Sequence, residues 1–100
     1  VCNATSIEGL FEFYHNKMRR LYPNVAFVPQ TFQHKEYGKY YLIKYGTSWS
    51  KKMLFTKIDV LFNYKNRNFI LNYTSENKYY DEFIKEVEQI INSFKIKEAI

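Results

Sequence analysis

A run of large apolar residues near the end of the chain, spaced three and four positions apart, restricts the fold more than any other feature. At 3.6 residues per turn, such positions fall on one side of a helix. These positions are Tyr80, Phe83, Ile84, Val87, Ile90, Ile91 and Phe94. The pattern predicts an amphipathic helix over about residues 79–94. Its apolar side has to be covered, and we expect a sheet beneath it.

A second helix is predicted over about residues 6–21. Thr5 and Glu8 have the spacing of a capping box, in which each side chain bonds a free amide of the first turn. Apolar residues then recur at helical spacing, namely Ile7, Leu10, Phe11, Tyr14, Met18 and Leu21. Pro23 ends the helix, because the residue before a proline is disfavoured in the helical conformation.

Four stretches between the helices have the composition of strands, over about residues 25–34, 39–47, 53–64 and 69–75. Pro29 has no backbone donor, so the first strand is predicted to lie at a sheet edge. Residues 47–52 are predicted to form the loop between the second and third strands.

The third strand divides by alternation into two faces, and Ile58, Val60 and Phe62 share the face expected to point to the core. With residues 66–67 as the following turn, Phe62 would lie opposite Leu71, so that apolar residues of both strands match. We expect one continuous core made of Ile58, Val60, Phe62, Leu71, Phe83, Val87, Ile91 and Phe94.

These elements predict a single α+β domain over residues 1–100. Its four strands form a meandering antiparallel sheet, and the N-terminal and C-terminal helices are both expected on one face of it. One hundred residues is the usual size of one domain. A hydrophobic content of 46%, with 20% aromatic residues, is far above that of disordered chains.

No known catalytic, metal-binding or cofactor-binding spacing is present. Cys2, His15 and His34 form no recognised zinc pattern and are interpreted as structural or surface residues. Asp59 shares a strand face with Lys57 and is interpreted as part of a cross-strand ion pair rather than as a catalyst. The sequence therefore predicts a protein that is not an enzyme and has no metal and no cofactor.

The formal net charge of +5 is mildly attractive to nucleic acid, anionic lipid or acidic protein. The basic residues are spread along the chain, which favours scattered solubilising charge over a nucleic-acid-binding surface. No apolar run approaches the roughly 18 residues of a membrane span. Membrane association is therefore expected only through a segment upstream of Val1.

Three segments carry a resemblance to a known family: the strand end at 70–75, the helix start at 80–83 and the Ile-Ile-Asn-Ser-Phe run at 90–94. They are similar to packing motifs of the PsbP and DcrB-like family, although the amino-terminal hairpin of that family is missing. The resemblance implies a non-enzymatic accessory or binding module that docks on a larger protein assembly or a membrane-associated partner. It also implies an extracytoplasmic location, either periplasmic, lumenal or lipid-anchored.

Two other readings stay open. A cystatin-like or nuclear-transport-factor-like binding domain also lays a helix across an antiparallel sheet. A basic nucleic-acid-binding domain would bind oligonucleotides with an affinity that falls steeply as salt rises.

Eight residues form the predicted partner-binding surface. Trp49 is a candidate anchor in the predicted loop, beside Lys51 and Lys52. The other five are apolar and are assigned to the sheet face turned away from the helices: Tyr40, Leu42, Phe55, Leu61 and Ile70. An apolar patch rimmed by charge is typical of a contact surface. We expect a protein partner there or at the edge beside residues 25–31, most simply a second copy in a homodimer.

Overall fold

The computed structural model describes residues 4–50, 53–76 and 79–95, without the side chains of residues 47–50, 53, 54 and 80. The elements are α1 (Ile7–Leu21), β1 (Phe27–His34), β2 (Gly38–Ser50), β3 (Met53–Tyr64), β4 (Arg67–Glu76) and α2 (Tyr80–Ser93). The strands pair antiparallel in the order β1-β2-β3-β4. The predicted α+β class, element order and antiparallel meander are confirmed.

The two helices pack on opposite faces of the sheet, so the prediction that both lie on one face is wrong. One buried cluster lies against α2 and contains Tyr40, Leu42, Ile58, Val60, Phe62, Val87 and Ile91. A second lies against α1 and contains Leu10, Tyr14, Ile43, Tyr45 and Leu61. Successive residues of a strand point to opposite faces, and β2 is apolar at both sets of positions. Each face therefore has to be covered.

The core expected from the sequence is confirmed on the α2 face. Ile58, Val60 and Phe62 of β3 are fully buried. Val87 and Ile91 of α2 pack against them. The three other predicted members, Leu71, Phe83 and Phe94, are partly buried and contact the same cluster.

The turn between β3 and β4 lies one residue earlier than predicted. Lys65 and Asn66 both have positive φ, 51° and 61°, as a type I′ two-residue hairpin requires. Phe62 is consequently opposite Phe69 rather than Leu71. The shift in register is two residues, so each side chain stays on the face that alternation assigned to it.

One side chain caps the start of α1, and another joins α2 to the end of β1. Ser6, rather than Thr5, is the N-cap of α1 and accepts a hydrogen bond of 3.0 Å from the Gly9 amide. Buried His34 accepts at Nδ1 from the amides of Glu36 and Tyr37 and lies with Nε2 3.0 Å from the Ile91 carbonyl of α2. Because Nδ1 accepts from amides, Nε2 carries the proton and donates it to that carbonyl. His34 is therefore structural, whereas Cys2 lies outside the described residues.

Candidate binding groove

A groove opens on the α1 face of the sheet, between α1 and β4. Its volume is about 380 Å³. We call it the α1 groove, and it is lined by Phe13, Tyr14, Lys17, Met18, Tyr45, Lys57, Asp59, Ile70, Asn72 and Thr74. Apolar, amide, hydroxyl and charged groups thus meet in one concave surface.

The groove exists because α1 lies over β2 and β3 and leaves β4 uncovered. Leu10 and Tyr14 of α1 pack on Ile43 and Leu61 of those two strands. On β4, by contrast, Ile70 is 44% exposed. Asn72 and Thr74 share its face of the strand and are also exposed. The outer part of the sheet therefore forms an open floor beside the helix.

Asp59 of β3 lies on this floor and is held by two tyrosines from different elements. Asp59 is only 3% exposed to solvent. The hydroxyl of Tyr14, from α1, donates to Oδ2 at 2.5 Å, and the hydroxyl of Tyr45, from β2, donates to the same oxygen at 3.0 Å. Among the residues that the structure describes, none donates a hydrogen bond to Oδ1.

Burial dominates the electrostatics of this cluster. It raises the pKa of Asp59, and the two tyrosine hydrogen bonds and the nearby Lys57 ammonium offset only part of that effect. Burial and the interactions with Asp59 also raise the pKa of Tyr14 and of Tyr45 well above 10.0. Both tyrosines therefore stay protonated and act as donors to Asp59 at neutral pH.

Lys57 does not form the predicted ion pair with Asp59. Within the described ranges, salt bridges join Glu8 to Lys39 and Glu36 to Lys95, and Asp59 forms none. The Lys57 ammonium still lowers the pKa of Asp59 through space. The groove thus contains one buried acceptor together with the side chains of Lys17 and Lys57.

The structure does not bring the eight predicted partner-binding residues together. Tyr40 and Leu42 are buried under α2, and Leu61 is buried under α1. Phe55 lies on the α1 face by alternation, two residues before Lys57. Of the five candidates whose side chains are described, Ile70 alone lines the α1 groove. The predicted open face is wrong because each face has a helix on it.

The three remaining candidates lie in the sequence at the end of β2 and directly after it. The backbone of Trp49 belongs to β2, which extends to Ser50, so the predicted loop over residues 47–52 is too long. The side chain of Trp49, and all of Lys51 and Lys52, lie outside the described residues.

The tyrosine-bound aspartate was missed at the sequence level, although a signal for it exists. Asp59 interrupts an apolar run between Ile58 and Val60 in the centre of the longest alternating segment. A charge at that position is rarely buried without partners. Its partner Tyr14 is 45 residues away in the sequence, and its partner Tyr45 is 14 residues away. Alternation within one strand does not reveal contacts at such distances along the chain.

A second groove, the α2 groove, lies between α2 and β1 and also has a volume of about 380 Å³. Its lining includes Phe32, Tyr40 and Leu42 from the sheet, and Ile84 and Glu88 from α2. Phe32 is 45% exposed. Among the described lining residues, the charged side chains are Lys44 and Glu88, and both are exposed, unlike Asp59 in the α1 groove.

No protein-family model, no curated protein and no solved structure matches this chain. In the described part of the chain, no three His, Cys, Asp or Glu side chains lie close enough to hold a metal ion. Nor does that part contain a helix long and apolar enough to cross a membrane.

Proposed function

We propose that the protein is a non-enzymatic binding module of the PsbP and DcrB-like kind, which docks on a larger protein assembly. The α1 groove takes a segment of the protein partner. The observation that carries this proposal is Asp59, a buried carboxylate on the floor of an open groove with one oxygen that no described residue satisfies. An extracytoplasmic location belongs to the same proposal and rests on the resemblance alone.

The lining favours a peptide segment over a small polar substrate. Phe13, Met18 and Ile70 offer apolar contacts, while Asn72 and Thr74 offer hydrogen bonds to backbone or side-chain groups. Interfaces combine an apolar centre with polar groups at the rim in this way. The expected segment places an apolar side chain against Ile70 and an N–H or O–H donor at Asp59.

Binding is favoured over catalysis because the two tyrosine hydroxyls of the groove already have a fixed role. Tyr14 and Tyr45 each use the single hydroxyl proton to hold Asp59. The described lining contains no histidine or cysteine that would serve as a base or nucleophile. Asp59 therefore acts as a positioned hydrogen-bond acceptor.

Replacing Ile70 with glutamate should weaken peptide binding about tenfold, equivalent to about 1.4 kcal/mol. The change puts a charge on the apolar part of the groove. Ile70 is 44% exposed, so the fold should tolerate it. The probes are peptides selected by display against the wild-type protein, and their affinities are measured by calorimetry.

Phe32→Glu is the matched control, since Phe32 is equally exposed, at 45%, but lines the α2 groove. It should change peptide affinity less than twofold. The reverse pattern, with Phe32→Glu abolishing binding and Ile70→Glu leaving it intact, would overturn the assignment to the α1 groove. Selection of no peptide above the level of an unrelated protein of equal net charge would overturn the proposed function itself.

A further inference from the structure

The outer edge of β4 presents a row of backbone groups that no described strand pairs with. The two-residue turn at Lys65 and Asn66 is closed by a hydrogen-bonded pair, Tyr64 with Arg67. Hydrogen-bonded and non-hydrogen-bonded pairs alternate along an antiparallel ladder. The odd-numbered residues of β4 therefore bond to β3, and the even-numbered residues Ile70 and Asn72 direct their N–H and C=O groups outward.

The two edges of the sheet differ in how well they accept another strand. β1 contains Pro29, which has no N–H and therefore has its nitrogen on the free side of an edge strand. β4 spans ten residues with no proline, glycine or lysine. Proline and lysine are the usual means of preventing edge pairing. β4 is thus the unprotected edge.

We propose that β4 pairs antiparallel with β4 of a second copy of the chain, about a twofold axis that passes beside Leu71. In this register Ile70 and Asn72 exchange hydrogen bonds with Asn72 and Ile70 of the second copy. Phe69 lies opposite Tyr73 of the second copy, and Leu71 lies opposite its own equivalent. In this register the residues that form hydrogen bonds across the axis, Ile70 and Asn72, are the ones whose N–H and C=O groups point outward from β4.

The side chains on the α2 face support this register. Phe69, Leu71 and Tyr73 are only partly buried against the core of their own subunit. Their order, aromatic then leucine then aromatic, maps onto itself under a twofold axis at Leu71. Aromatic pairs across strands contribute to sheet stability. The strand carries one arginine and one glutamate, so the edge is neutral although the chain has a net charge of +5.

An exposed residue of α2 lies on the same side. Ile84 and Glu88 line the α2 groove, so their flank of α2 faces β1. At 100° per residue, Ile90 lies on the opposite flank, which faces β4. Ile90 is 46% exposed. A twofold axis perpendicular to the sheet places the two α2 helices on one face, with the Ile90 flanks turned toward each other.

The dimer would also complete the α1 groove, and this part of the inference rests on the proposed function. Pairing of the two β4 strands keeps both α1 helices on one face of an eight-stranded sheet. The exposed Ile70, Asn72 and Thr74 of both copies would then form one floor between two helical walls. A single chain supplies only half of this cradle.

The test is the molar mass in solution, measured by light scattering after size exclusion at high micromolar concentration. The wild type should be a dimer. Asn72→Pro removes an outward N–H without affecting the pairing with β3, and should give a folded monomer. Thr31→Pro is the control, since Thr31 lies two residues from Pro29 and has the same outward parity on β1. It should leave the dimer intact.

Crosslinking provides a second readout that does not need the proline variant to fold. In a Cys2→Ser background, Asn72→Cys side chains of the two copies are diagonal neighbours at roughly 7–8 Å. A short bis-maleimide should join them, and should not join Thr31→Cys in the same background. A monomeric wild type, together with an Asn72→Cys variant that is not crosslinked, would overturn the dimer, as would a dimer formed equally by folded Asn72→Pro.

Peptide binding separates failure of the dimer from failure of the proposed function. A monomeric wild type that still binds selected peptides through Ile70 would contradict the proposed dimer but not the proposed function. A dimer that binds no peptide would contradict the proposed function but not the proposed dimer.

Discussion

Replacing Phe62 with alanine should lower the free energy of unfolding by about 3–5 kcal/mol, the range for a buried aromatic residue. Phe62 is 0% exposed and lies at the centre of the α2-face core. Its ring contacts those of Tyr40 and Phe94, with centroids 4.9 and 5.1 Å away, and meets His34 and Tyr37 edge-on at 5.7 and 6.2 Å. The cavity would therefore border the sheet, α2 and the turn after β1. For a domain of marginal stability this is a large part of the total.

Urea unfolding followed by circular dichroism measures this loss. Phe32→Ala makes the same chemical change at a side chain that is 45% exposed, and should cost less than about 1 kcal/mol. Equal losses for the two variants would contradict the assignment of Phe62 to the core.

The element order was predictable because it depends on local periodicity. The three-four spacing of Val87, Ile91 and their neighbours identifies α2 without reference to the rest of the chain. The same holds for α1 and for the alternation of β3. Short connections then leave an antiparallel meander as the simplest arrangement.

The placement of the helices was not predictable from alternation alone. Alternation separates a strand into two sets of residues but does not say which set a given helix covers. In β2 both sets are apolar, since Tyr40 and Leu42 alternate with Ile43 and Tyr45. Such a strand indicates burial on both faces. The prediction of one open face therefore placed Tyr40, Leu42 and Leu61 at the surface, whereas each is buried under a helix.

The candidate site was less predictable than the fold because it is built from long-range pairs. A tyrosine within the apolar stripe of α1 is expected in the core, and Tyr14 is indeed buried. Its hydroxyl reaches Asp59 only because α1 crosses β3 at that point. Which residues of β4 direct their backbone groups outward depends similarly on a turn that the sequence places one residue late.

Replacing Asp59 with alanine should lower the free energy of unfolding by about 2–4 kcal/mol. The change removes the acceptor of two buried tyrosine hydroxyls, and a hydrogen bond to a charged group contributes about 1.5–3 kcal/mol. Part of this loss is offset because the variant no longer buries a charge. Tyr14 and Tyr45 would be left without their acceptor. Chemical unfolding at neutral pH measures the loss, and a change below about 0.5 kcal/mol would show that the cluster does not hold α1 to the sheet.

The pH dependence of the Asp59→Asn variant then isolates the charge. Burial raises the pKa of Asp59 in the folded state above the ordinary 3.8. The folded protein therefore binds this proton more readily than the unfolded chain, and the contribution of Asp59 to stability falls as pH rises from 3.8 through the folded pKa. Exposed Glu8 and Glu36 have lowered pKa values and act in the opposite direction, but they are the same in both proteins. The wild type should thus gain stability relative to Asp59→Asn as the pH is lowered across that window. A stability difference between the two proteins that stays constant with pH would show that Asp59 is not the buried acid that the groove requires. A variant that gains stability relative to the wild type as the pH is lowered would show the same.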